Sequence, residues 1–382
     1  HHALSSRPRF KIICVVLRSG KLVQRWCPDG RFRCRGLLKI KSAKGVGMAS
    51  AGMVLTRRLA ASLRRRGFFG LLWALVADAI VRFGHVMEFL RDHVSPCRFE
   101  NRSTGSSELI VVLAGYKSYL WPITLARIKR YAPRGADICV ASAGLFSDDL
   151  AVLCRAHGWS YLSVTRNSPG LALNKCVRLH PHADFIYKID EDVVIAKDFF
   201  ELLRKGYDLA WSKQLLEPGF CAPVLNLNGI SYRAFLRQLG LEEEFSSAFG
   251  PLLSRCGDLP VHNDPRAAWW IWERTLPFDR RAEEFSRRLG EFSICATRFS
   301  IGAILFRRGF HEQTGGFKSA WHSAVLGVDE DMLCRDCVAQ SRPMIIVESV
   351  LAGHFSFYPQ ESFMREKLPE MMRMDPGLVT GT

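Results

Sequence analysis

Tyr187-Lys-Ile-Asp-Glu-Asp-Val-Val-Ile195 reads as a buried strand running into two carboxylates, Asp190 and Asp192, one residue apart. Successive side chains of a strand point to opposite faces, so residues i and i+2 share a face. At a strand's end that spacing sets both carboxylates on one side of the turn. Hard oxygen donors held this way suit Mg²⁺ or Mn²⁺, ions that commonly arrive bridging a phosphate. A solvated acidic turn after a core strand gives the same D-x-D, so the surrounding pattern has to decide.

Outward from this stretch the chain alternates strand and helix. Residues 109–113 (LIVVL) form a strand ending at Ala114-Gly115, and residues 120–131 carry Leu120, Ile123, Leu125 and Ile128 at helical spacing. Strands at 137–140, 160–164 and 185–189 are separated by helices at 148–157 and 171–179. This order predicts an α/β fold, a mostly parallel central sheet flanked by helices and joined by right-handed crossovers. Ligands of such sheets bind at the carboxyl ends of the strands, where Gly115, Ser142 and the acidic pair all fall. No glycine-rich phosphate loop is present, which argues against a Walker or dinucleotide site.

A chain of 382 residues with 48% hydrophobic content has room for one large or two medium domains with a real core. The formal charge of +16 is unevenly placed: residues 1–107 hold 21 basic and 5 acidic side chains, and the remainder is balanced at 32 of each. Twelve scattered cysteines point to reduced thiols and a cytoplasmic setting rather than a disulfide framework. Cys334-Arg-Asp-Cys337 lies in a helical run without a second ligand pair, so a zinc or redox site is not expected there.

Residues 1–47 read as a flexible basic extension, without the recurring aromatic–basic interleaving of a nucleic-acid arm, and no nucleic-acid partner is expected. Residues 48–107 read as a helical region ending in the linker-like 101–107 (NRSTGSS). Arg64-Arg65-Arg66 precedes an apolar run over 68–81 that contains Asp78, which is short and polar for a bilayer span. A helix packed on the main domain accounts for it. The alternative is an amphipathic helix through residues 57–83, peripheral at an anionic membrane surface.

From residue 109 the chain resembles a family 2 glycosyltransferase of GT-A fold, over roughly residues 108–360. Tyr116 falls where that family's opening P-T-Y-N-type turn places a tyrosine, after Ala114. Ala172-Leu-Asn174, sixteen positions before Asp190, is similar to its A-R-N element. Far along the chain, Thr314-Gly-Gly-Phe317 and Gly327-Val-Asp-Glu-Asp-Met-Leu-Cys-Arg335 resemble G-G-F followed by G-E-D-x-D-L-x-x-R. The resemblance implies a domain over 108–365, with a nucleotide-sugar half at 108–214, an acceptor half at 215–365, and a tail at 366–382. It implies metal-dependent, inverting transfer of a sugar from a UDP- or GDP-sugar to a hydroxyl of a glycan, lipid-linked or other acceptor. Asp190, Asp192 and His354 would hold Mn²⁺ or Mg²⁺, and Asp329 would be the catalytic base. Ala114, Tyr116, Ser142, Asn174 and Asp190 would meet the nucleotide sugar.

Val328 stands where the family has glutamate, which leaves acceptor contact to Glu330 or to nothing. The second strand ends in Ser142 where a carboxylate is usual. Residues 215–298 do not fit the family outline and read as an insert on the acceptor side, with Trp269 and Trp270 either as sugar-packing faces or as helix core. Two other readings remain: a nucleotidyltransferase, for which Ala114-Gly115-Tyr116-Lys117 supplies only one lysine, and a catalytically silent scaffold of the same fold.

Overall fold

The computed structural model describes residues 94–214, 216–255, 257–318 and 327–380, with positions 17–18, 21–22, 68–70, 72–73, 75–76, 79 and 83. The chain divides into two compact units, His1–Arg82 and Phe83–Thr382. In the first, Leu17–Arg18 and Lys21–Leu22 pair antiparallel, and the described positions from 68 to 79 are helical. The rest of the expected basic extension 1–47, and most of the run 57–83, lies outside the described residues. Among the described residues no helix is long and apolar enough to cross a membrane.

The second unit is α/β. Its elements begin with β1 (Cys97–Glu100), β2 (Glu108–Leu113), α1 (Trp121–Tyr131), β3 (Asp137–Ala143), α2 (Asp148–His157), β4 (Ser160–Val164) and α3 (Pro169–Leu179). Then come β5 (Phe185–Asp190), β6 (Val193–Ile195), α4 (Phe199–Gln214), β7 (Phe220–Leu225), α5 (Tyr232–Leu239), α6 (Glu242–Phe249), α7 (Pro260–Asn263), α8 (Pro265–Thr275) and α9 (Phe278–Ser286). The unit ends with β8 (Phe292–Cys295), β9 (Ala303–Arg307), α10 (Arg308–Thr314), α11 (Val328–Ala339), β10 (Met344–His354), α12 (Glu361–Met374) and α13 (Gly377–Thr380). One sheet runs β8-β10-β7-β9-β5-β2-β3-β4-β1, and β6 pairs with β10.

The central block β4-β3-β2-β5 is parallel, as the alternation of elements predicts. Its strands are buried along almost their whole length (ELIVVL, SYLSV, FIYKID), with α3 packed on β2, β3 and β4 and α2 on β4. Helix starts follow their sequence signals: Ser147 accepts from the Leu150 N–H, and Ser168, before Pro169, accepts from the Leu171 N–H. Register aligns Leu113 with both Ala141 and Asp190, so β2, β3 and β5 end at one rim. The chain crosses from one side of β2 to the other between β4 and β5, which makes the β2/β5 rim the topological switch point.

Three boundaries differ from expectation. The 101–107 stretch is not a slack linker. The Asp137 carboxylate gathers Ser103 Oγ, the Thr104 N–H (2.7 Å), Thr104 Oγ1 (2.9 Å) and the Ser106 N–H (3.2 Å), and β1 extends the sheet beyond residue 108. The 215–298 stretch is not only an insert, since it contributes β7, an interior strand beside β10. Its Pro223 disguised that role, but β7 meets β9 through the single pair Leu305–Cys221, so the missing N–H is tolerated. Residues 366–380 are no loose tail. They complete α12 and form α13, where buried Arg127 donates to the carbonyls of Gly377 (2.9 Å) and Leu378 (3.2 Å).

Burial alone would raise the Asp137 carboxyl pKa, but its hydrogen bonds outweigh that and hold it low. Asp137→Ala should therefore lower unfolding free energy by about 2–3 kcal/mol in denaturant titration at neutral pH. Because the folded pKa lies below the unfolded value of about 3.9, this contribution is present above that pH and is lost as pH falls through the folded value. A variant whose deficit is unchanged down to pH 3 would contradict the assignment.

Candidate functional site

The reversal between β5 and β6 is held by its middle residue. Glu191 projects back under the end of β2, where its carboxyl oxygens accept from the N–H groups of Gly115 (2.9 Å), Tyr116 (2.8 Å) and Lys117 (3.0 Å) and from Trp121 Nε1 (2.7 Å). Gly115 takes φ 145°, a conformation that side chains rarely adopt, and this lets three successive N–H groups turn toward one acceptor. Sequence reading passed over Glu191 because it looked only at the flanking aspartates.

Asp190 closes β5 with its N–H on the Gly302 carbonyl (2.8 Å). Two residues earlier on the same strand face, Lys188 Nζ donates to Asp190 Oδ2 (2.6 Å) and to the Ile301 carbonyl (2.5 Å). Burial, with the neighbouring Asp192 charge adding to it against Lys188, pushes the Asp190 carboxyl up to about 6. Asp192 is buried at 6% exposure. Burial opposes its ionisation, yet His354 and Lys117 together hold its carboxyl well below the usual range. Lys117 Nζ donates to Asp192 Oδ2 at 2.6 Å, and the partnership raises the ammonium pKa despite burial.

His354 arrives from the far end of the sheet. It is the last residue of β10, paired with Val193 of β6, and the Phe355 N–H donates to the Asp192 carbonyl (2.9 Å). This register brings His354 Nε2 to 3.5 Å from Asp192 Oδ2, while Nδ1 faces the Leu227 carbonyl at 3.2 Å. A carbonyl cannot donate, so Nδ1 carries a proton and Nε2 is the nitrogen turned toward Asp192. Trp272 Nε1, buried on α8, donates to the carbonyls of both His354 (3.1 Å) and Phe355 (3.0 Å).

The strap Arg298–Gly302 joins this rim to the start of α11. Glu330 accepts from Arg298 Nη2 (3.1 Å), Ser300 Oγ (3.0 Å) and the Ile301 N–H (3.2 Å), while the carbonyls of Ile301 and Gly302 serve Lys188 and Asp190. Asp329 sits half-buried in the first turn of α11. Burial and the adjacent Glu330 charge raise its carboxyl pKa against a downward pull from Lys188. Gly170, in the first turn of α3, lies so close that a Cβ there would meet Asp329 Cβ at 3.5 Å and the Lys318 carbonyl at 3.1 Å.

The structure thus sets His354 beside Asp192, next to Asp190, and places Asp329 at the head of α11, whose neighbouring Glu330 holds the strap. Among the described residues, no group of three or more His, Cys, Asp or Glu side chains is disposed to hold a metal ion. Ala114 lies at the rim with its N–H on Ala141, and Tyr116 is 59% exposed with its hydroxyl donating to the Ala143 carbonyl (2.6 Å).

Four expected contacts are spent elsewhere. Ser142 is fully buried, its hydroxyl shared with Tyr161 Oη (2.8 Å) and the Leu145 carbonyl (3.0 Å). Asn174 is buried and stitches α3 to Phe317: Nδ2 donates to its carbonyl (2.8 Å) and Oδ1 accepts its N–H (2.8 Å). His311 also reaches Asn174 Oδ1 (2.9 Å), and burial pushes that imidazole down to about 4. Glu330 is consumed by the strap. The rings of Trp269 and Trp270 support helices: Trp270 stands edge-on to Phe245 and Phe249 under the Arg274 guanidinium, and Lys367 covers Trp269. Cys334 and Cys337 are buried in α11.

No protein-family model matches the chain, and no curated protein does. Among solved structures it is similar to the mannosyltransferase PcManGT from Pyrobaculum calidifontis in complex with GDP-Man and Mn²⁺, at 14% identity and a TM-score of 0.40, over 76% of this chain and 71% of that one. It is also similar to S. aureus TarS 1–349 in complex with UDP-GlcNAc, at 10% identity and a TM-score of 0.37, over 67% and 61% of the two chains. Another S. aureus TarS structure matches at 12% identity and a TM-score of 0.26, over 31% of this chain and 22% of that chain. The chain spans less than two thirds of either TarS chain, and likenesses this distant carry no assignment.

Removing the Glu191 carboxyl strands three backbone N–H groups beneath the turn. Glu191→Ala is expected to cost about 2–4 kcal/mol of unfolding free energy, read by denaturant titration. A loss below about 0.5 kcal/mol would show that the turn does not depend on it.

Proposed function

We propose that this chain is a glycosyltransferase of GT-A fold that moves a sugar from a nucleotide-diphosphate-sugar to an acceptor hydroxyl, with inversion. One observation carries the reading: Asp190, Asp192 and His354 lie along the switch-point rim, and a third carboxylate, Asp329, heads a distant helix whose Glu330 holds the strap to that rim. Carboxylates and an imidazole are the donor types a divalent cation takes, though the three side chains are not gathered about one point in this structure. His354 has its Nδ1 occupied and its Nε2 turned toward Asp192, the arrangement of a metal-ligating histidine. Lys117, on a flexible stem, is the group such a cation would displace from Asp192. Asp192 and His354 would hold Mn²⁺ or Mg²⁺ with Asp190 beside them, and the ion would offset charge developing on the departing diphosphate.

Asp329 acts as base in this scheme. Burial and the adjacent Glu330 charge raise its pKa, which strengthens its pull on a hydroxyl proton. The acceptor proton passes to Asp329, the acceptor oxygen bonds to the anomeric carbon, and the nucleoside diphosphate leaves with the electrons of the broken bond. Exposed Tyr116 and buried Ala114 would border the nucleotide. Glu330, the neighbour of Asp329, is engaged in the strap and so is not free for the acceptor. Residues 57–83 remain the proposed contact with an anionic membrane surface.

A second reading, a catalytically silent scaffold, draws on the lysines that already neutralise Asp190 and Asp192. Calorimetric titration with UDP and GDP, with and without Mn²⁺, separates the two. Metal-dependent nucleotide binding that Asp192→Ala abolishes is expected, and no binding of either nucleotide would favour the scaffold. Asp329→Asn should keep nucleotide affinity within about three-fold and lower turnover by about 10²–10⁴; undiminished turnover would remove Asp329 as the base.

A further inference from the structure

Beyond His354 the chain makes a 3-10 turn, Tyr358–Gln360, before α12. This turn is rigid. Gln360 is fully buried, with Nε2 donating to the carbonyls of Val261 (3.0 Å), Asp264 (3.2 Å) and Pro260 (3.4 Å) and Oε1 accepting the Phe357 N–H (3.1 Å). Phe357 packs its ring against His262 at 4.3 Å and His354 at 4.6 Å. Between these anchors Tyr358 is 87% exposed, an aromatic face displayed by a scaffold that makes no use of it for packing.

Tyr358 lines an open surface depression of about 840 Å³, whose described lining also includes Pro359 and Glu361, Ser362, Arg365 and Glu366 of α12. That volume falls within the usual range of small-molecule sites, roughly 300–1,000 Å³. The cavity borders the acidic rim directly. Lys117 reaches Asp192 Oδ2 at 2.6 Å and Glu361 Oε2 at 3.8 Å, so one ammonium separates the two carboxylates. Tyr119 Oη donates to Glu361 Oε1 (3.1 Å), fixing that wall from beneath.

We propose that this cavity is the acceptor subsite and that it takes an uncharged pyranose; the assignment rests on the glycosyl-transfer reading above. An exposed ring beside carboxylates and a hydroxyl matches a sugar, whose C–H face packs on an aromatic while its hydroxyls donate to Glu361 and Glu366. Among the described lining residues Glu361 and Glu366 stand against Arg365, with Lys117 beside Glu361, a balance that offers a phosphate no excess of positive charge. The subsite belongs to the turn that follows His354, so the acceptor stands beside the donor's diphosphate end.

Saturation-transfer NMR on the full chain tests this with the methyl pyranosides of glucose, mannose, galactose and N-acetylglucosamine, alongside glucose 1-phosphate. At least one methyl glycoside should give ring-proton signals that fall about five-fold in Tyr358→Ala and persist in Tyr358→Phe. The phosphate should give weaker signals than the best glycoside. Silence from all four glycosides, signals indifferent to Tyr358→Ala, or a preferred phosphate would overturn the proposal. Titration of the same sample with UDP and GDP tells the two readings apart. Nucleotide binding without a Tyr358-dependent signal overturns the subsite alone, and a pyranoside signal without nucleotide binding overturns the acceptor assignment together with the transferase reading.

Discussion

Everything at the rim depends on a three-residue antiparallel ladder between β6 and the end of β10. Asp192 and His354 lie far apart in the chain, and only the pairing of Val193 with His354, backed by the Phe355 N–H on the Asp192 carbonyl, sets them side by side. The ladder exists because Glu191 reverses the chain so tightly after β5. Backbone hydrogen bonds, rather than attraction between the acidic and imidazole groups, do the assembling. A site built on strand register is held more firmly than one built on loops.

The second constraint is charge. Two aspartates in a buried rim cannot both ionise at no cost, and the fold supplies an ammonium to each: Lys188 to Asp190 and Lys117 to Asp192. Lys188 comes from the strand itself, fixed by the Ile301 carbonyl. Lys117 comes from the β2 turn on a longer reach and is shared with Glu361. The Arg298–Gly302 strap carries this order outward, since its backbone serves Lys188 and Asp190 on one side and Glu330 on the other.

Much of the parallel half was readable because each strand is a short, largely apolar run and the helices announce themselves at Ser147, Ser168 and Pro169. The acidic pair stood out because i, i+2 spacing is a local property. What escaped was non-local. Nothing near Pro223 marks β7 as an interior strand, because its single-pair ladder to β9 is a fact about another segment. Asn174 and Ser142 matched in position, yet their polar atoms are spent on Phe317 and Tyr161, partners that only folding reveals. Glu191 and Lys188 were overlooked for the opposite reason: they sit within the most conspicuous stretch of the chain, and their side chains turn inward to support it.

Trp272 ties α8 to the end of β10. Its indole N–H spans the carbonyls of His354 and Phe355, so α8, which otherwise packs among peripheral helices, is a buttress for the imidazole. The helices around Trp269 and Trp270 can diverge to suit different neighbours only so far as that single indole keeps its seat. Variation on that flank is therefore bounded from within, and a relative lacking the indole must brace the end of β10 by some other means.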